Sequence, residues 1–95
     1  MRPDHGGRIE LKLCAGAEAS ARYLVTIFTA EGEVSAEVTI DAASGSLALG
    51  EWQAGAPPSW LESLAKTLLR TTLRTKTSDG EWPRRVTRWR PEPQT

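Results

Sequence analysis

The chain has a single cysteine, Cys14, and a single histidine, His5. A lone thiol has no internal partner, so no disulfide framework holds the fold and a reducing, cytoplasmic setting is expected. One Cys and one His fall short of the three or four ligands of a zinc site, so no metal is expected. Long apolar runs are missing too. No stretch approaches the ~20 residues of a membrane span, and Met1 leads into Arg2, Pro3 and Asp4 rather than an apolar segment. Neither membrane attachment nor a signal peptide is expected. "GSLALG" has glycines that flank a strand rather than open a helix, so it is no phosphate loop, and no cofactor is expected. The net charge is zero, whereas nucleic-acid-binding domains usually run strongly basic.

What is present describes one domain. A length of 95 residues suits a single core, and 25% charged residues is the share of an ordinary globular chain. Residues 1–7, with Pro3, Gly6 and Gly7, read as a flexible start, 8–90 as the domain, and 91–95 as a disordered tail. Charge is unevenly spread: Met1 to Ala65 carries four bases and nine acids, Lys66 to Thr95 eight bases and three acids. Such asymmetry marks either an acidic-partner or nucleic-acid surface, or two halves that attract each other within one fold or across a dimer.

Alternation predicts the strands. Ile9, Leu11 and Leu13 alternate with Arg8, Glu10, Lys12 and Cys14, which is a strand with one buried face. "AGAEASA" (15–21) reads as a linker of small residues. Arg22 to Ala30 is apolar on both faces, with Tyr23, Val25 and Ile27 on one and Leu24 and Phe28 on the other, and reads as a central strand. Val34, Ala36, Val38 and Ile40 repeat the alternation after a turn at Gly32. "DAASGS" (41–46) turns into a short fourth strand through Leu47 and Leu49. The hairpin "VTIDAASGSLAL" resembles the strand–turn–strand of PepSY-type small α+β modules over about a dozen residues; its turn chemistry is generic, and nothing is carried over from the resemblance.

One helix is predicted from Ser59 to about Lys76. Ser59 and Glu62 have capping-box spacing, and Leu61, Leu64, Ala65, Leu68, Leu69, Thr72 and Leu73 form an apolar stripe. Glu62, Lys66, Arg70 and Arg74 follow at i, i+4 on another side. The terminal stretch "EWPRRVTRWRP" puts Arg84, Val86, Arg88 and Arg90 on one face and Arg85, Thr87 and Trp89 on the other; with prolines at 83 and 91 it reads as an edge strand. The expected fold is therefore α+β: a single antiparallel sheet of four to five strands with one helix packed on one face, in β-β-β-β-α-β order. The opposite face would carry Arg8, Glu10, Lys12, Ser35, Glu37 and Thr39.

Catalytic groups do not converge in the sequence. His5 lies in a Gly-flanked terminus, Cys14 has no activating partner, and Asp41 and Glu51 are acids of the kind turns use for conformational reasons. No enzymatic activity is expected. Trp52, Trp60 and Trp82 flank the helix and read as seals on the core rim, while Trp89 sits among arginines, where stacking on a partner is open to it. Two functions remain. One is a non-catalytic protein-interaction or regulatory module that binds a protein, or a second copy as a homodimer, through Arg85, Arg88, Trp89 and Arg90. The other is a nucleic-acid binder that adds Lys66, Arg70 and Arg74. The first is preferred, since the acidic first half would repel phosphate unless it faced away.

Overall fold

The computed structural model describes residues 6–30 and 32–91. The expectations for the segment up to His5 and for the tail 92–95 concern residues outside those described. In chain order the elements are β1 (Gly7–Gly16), β2 (Ser20–Thr29), β3 (Gly32–Asp41), β4 (Leu47–Leu49), α1 (Ser59–Asp79) and β5 (Arg85–Arg90). The strands form one antiparallel sheet in the order β4-β3-β2-β1-β5, with α1 against one face, which is the expected α+β arrangement. β2 is the middle strand because both of its faces are apolar.

The core lies between sheet and helix. Ile9, Leu11, Tyr23, Val25, Ile27, Val38 and Ile40 project from the sheet, and Leu61, Ala65, Leu68 and Leu69 from α1, all of them buried. The segment 15–21 is not the linker its composition suggests. β1 runs on to Gly16 and β2 starts at Ser20, with Ala17 N–H donating to the Ser20 carbonyl at 2.8 Å. A register shift between Leu13 and Ala15 absorbs the irregularity, so small residues complete the ladder instead of interrupting it. Gly7 begins β1 and pairs with both Thr29 and Arg90. A Cβ there would collide with the Leu61 side chain, so the glycine allows the first turn of the helix to seat directly on the sheet.

The helix departs from expectation at its start. Ser59 is already helical, the cap is Pro58, and no side chain makes a capping hydrogen bond. The Pro58 carbonyl accepts from the amides of Leu61 and Glu62, so the helix begins one residue too early for Ser59 to serve as cap. Glu62 is engaged elsewhere: it accepts from Trp52 Nε1 at 3.1 Å and pairs with Lys66 at 3.4 Å. At the other end α1 runs past Lys76 to Asp79 despite its threonines. Thr71, Thr72, Thr75 and Thr77 each donate to the carbonyl four residues earlier, which satisfies the hydroxyls without breaking the helix. Gly80, at φ 85°, ends it in the left-handed conformation, with its N–H on the Lys76 carbonyl.

Polar contacts of three side chains seal that end of the core. Trp82 donates from Nε1 to the Ala17 carbonyl at 2.7 Å and meets Tyr23 edge-on, with ring centroids 6.4 Å apart. Tyr23 Oη donates to the Pro83 carbonyl at 2.6 Å and so fixes the approach to β5. Lys76 lies in the buried stripe, with Nζ donating to the Gly80 carbonyl at 3.0 Å and standing 3.7 Å from Glu18.

Leu69→Ala should lower stability by about 2–5 kcal/mol, as expected for a fully buried leucine, whereas Ser59→Ala should change it by under about 0.5 kcal/mol because no cap is lost. Urea melts of the two variants check both. Burial pushes the Tyr23 phenol up to about 12 from 10.0. The folded state therefore resists ionisation: the stability Tyr23 contributes is complete below pH 10.0 and is lost as pH rises towards about 12. Tyr23 is the chain's single tyrosine, so an absorbance titration of tyrosinate should show one midpoint, well above that of the urea-unfolded chain.

Candidate functional site

In an antiparallel sheet, residues paired across strands point to the same face. Register therefore assembles the face that α1 does not cover. One row reads Trp89, Arg8, Phe28, Glu33 from β5 through β1 and β2 to β3. The next reads Thr87, Glu10, Thr26, Ser35 and reaches Gln53 through an isolated bridge. A third reads Arg85, Lys12, Leu24, Glu37. None of the described elements lies over these rows. The face is graded: bases gather on β5 and β1, apolar Leu24 and Phe28 stand on β2, and the exposed acids Glu33 and Glu37 lie on β3.

The Phe28 ring is not bare. The Arg8 guanidinium stacks over it at 4.6 Å from the centroid, a cation–π contact that shields the phenyl from water on an otherwise polar face. Arg8 Nε is buried without a hydrogen-bond partner among the described residues. Next to this stack stands Trp89, 42% exposed, the larger of the two well-exposed large apolar side chains among the described residues; the other is Leu49. An indole beside a stacked guanidinium at a sheet edge is the kind of group that anchors interfaces.

The residues singled out from the sequence separate into three places. Arg85 and Trp89 share the open face. Arg88 and Arg90 pair with Ile9 and Gly7 on the helix side of the edge strand, and each donates to the carbonyl of the preceding residue at 2.8 Å. Lys66 pairs with Glu62, which is held by Trp52 near the opposite edge of the sheet, and Arg70 and Arg74 are exposed along the outer side of α1. No single basic surface joins all seven. Arg8 and Phe28 were missed as members of the site because only strand register shows that they flank Trp89.

Two clefts among the described residues flank these rows. One, of about 460 Å3, lies between the β2–β3 turn and the start of α1, with Ile27, Val34, Pro57, Trp60 and Leu61 as apolar walls and Glu33 at its rim. Ala54, which adopts φ 69°, also lines it. The other, of about 410 Å3, is an open notch at the β1 bulge bordered by Lys12, Cys14, Arg84 and Arg85. Among the described residues no group of three His, Cys, Asp or Glu is arranged to hold a metal, and no helix is long and apolar enough to cross a membrane.

Because Arg85 and Thr87 are exposed on the open face, Arg85→Glu should shift the urea midpoint no more than an ordinary surface substitution, within about 0.5 kcal/mol. Comparison with known proteins finds no matching family model, no matching curated protein and no matching solved structure.

Proposed function

We propose that this protein is a small non-catalytic interaction module that binds protein through the edge strand β5 and the adjoining half of the open sheet face. The observation that carries this reading is the exposed Trp89 in register with Arg8, itself stacked on Phe28, on a face with no described element over it. An aromatic anchor, planar arginine donors and an outer strand edge are the elements that recognise an extended acidic segment. The exposed, unpaired thiol of Cys14 supports a reducing, cytoplasmic setting.

A second reading, nucleic-acid binding, draws on the same aromatics, since bases stack on aromatic side chains of an open sheet. Its weakness is electrostatic. Glu10, Glu33 and Glu37 share the face with Phe28 and Trp89, while the bases of α1 lie on the other side of the sheet. A phosphate chain laid across the aromatics would run over the acids.

The two readings separate in parallel titrations. A peptide of alternating glutamate and valine should bind and shift tryptophan emission, and Trp89→Ala or Arg85→Glu should abolish the shift. Labelled single- and double-stranded oligonucleotides should bind weakly at low salt and release near physiological salt. Six phosphate contacts would instead give a log–log salt slope of roughly −5 on duplex DNA. Oligonucleotide binding that survives moderate salt and is lost in the Arg85→Glu/Arg88→Glu variant, with no peptide binding, would overturn the protein-interaction reading.

A further inference from the structure

We infer that the partner seated on the open sheet face is a second copy of this chain, stacked face to face about a two-fold axis that runs along β2. This inference rests on the interaction reading above and assigns the occupant of its surface.

The axis follows from where the charges stand. β1 and β3 flank β2 on either side, with Arg8 and Lys12 on β1 and Glu33 and Glu37 on β3. Arg8 shares a row with Glu33, and Lys12 shares a row with Glu37. A two-fold rotation about an axis parallel to β2, lying between the stacked faces, exchanges the flanks and keeps the rows. It sets Lys12 over Glu37 of the second copy, twice, and brings each Arg8, lying over its Phe28 ring, to the side of Glu33 of the second copy, while Leu24 meets its own copy at the centre.

Other two-fold arrangements of these surfaces fail on the same charges. An in-plane axis perpendicular to the strands through the Glu10–Thr26–Ser35 row lays Arg8 on Lys12, Glu10 on Glu10 and Glu33 on Glu37, like charge on like. An antiparallel edge-to-edge dimer centred on β5 pairs Arg85 with Arg90 of the second copy, twice, and like charges directly opposite are destabilising. The strand-parallel axis has two unfavourable elements: Arg22, placed opposite its own copy but exposed at the end of β2, where solvent and salt screen it, and Arg8, whose stack on Phe28 draws it towards its own copy beside Glu33 of the second copy.

The face is large enough. Three ten-residue strands, at ~3.3 Å per residue and ~4.8 Å between strands, offer roughly 480 Å2 of flat area. Weak specific interfaces begin at about that area per partner. Stacked sheets pack some 10 Å apart and rotated by about 30°, so the paired rows near β2 stay in reach while the outer corners diverge.

Charge reversal within one chain tests the pairing, and both positions are exposed, so folding is preserved and is checked by circular dichroism. Light scattering at low salt should give twice the chain mass, with the dimer weakening as salt is added. Lys12→Glu and Glu37→Lys should each weaken the dimer roughly tenfold or more, since neighbouring charges couple on that scale. The Lys12→Glu/Glu37→Lys double variant should restore it, because the swapped pair meets again across the axis. A monomer at high concentration and low salt, or a dimer untouched by either reversal, or a double variant as weak as its parents, would overturn the inference. A monomer that still binds the glutamate–valine peptide would sink the dimer and leave the interaction reading standing.

Discussion

Everything in this molecule depends on one helix having to cover one sheet. A 21-residue helix is a rod roughly 31 Å long and 10–12 Å across, enough to bury one face of a small sheet and no more. The apolar alternation of β1 and β3 supplies one buried face, and α1 supplies one buried stripe to meet it. The other sheet face is left to water. Its long charged side chains, its threonines and the stacking of Arg8 on Phe28 follow from that exposure.

The closing contacts at the end of α1 matter for the same reason. A core only two layers thick loses its apolar interior at the rims unless amphipathic side chains seal them. Trp82 and Tyr23 do so with indole and hydroxyl each hydrogen-bonded to a backbone carbonyl, and Trp52 does so near the start of α1 through Glu62. Tyr23 also links the central strand to the Pro83 carbonyl, just before β5. The approach to the edge strand is thus tied to the core through the Tyr23 hydroxyl.

The fold was legible because period-2 and period-3.6 patterns are separate and strong here. Ile9/Leu11, Val38/Ile40 and the Leu61-to-Leu69 stripe each point one way, and apolar residues on both faces of β2 gave its place between neighbours. The capping box was misread because spacing alone cannot say where the first helical turn begins; Pro57 and Pro58 delay nothing, and the chain turns helical at Ser59 itself. The linker at 15–21 was misread because small residues carry no alternation to recognise. The site was half legible. Parity along β5 separates Arg85 and Trp89 from Arg88 and Arg90, but composition groups them. The partnership of Trp89 with Arg8 and Phe28 requires the register of two strand pairs, which no local pattern encodes. Counting charge by halves of the chain also misled, since Arg8 and Lys12 from the acidic half join Arg85 on one flank.

The central claim is that β2 presents one face to the core and the other to solvent, available to a partner. Thiol labelling in a Cys14→Ser background tests it directly, with Thr26→Cys on the open face and Val25→Cys on the core face. In dilute, folded protein the cysteine at 26 should react orders of magnitude faster than the one at 25, and it should slow as protein concentration rises. Equal rates, or protection at 26 in dilute protein, would contradict the account.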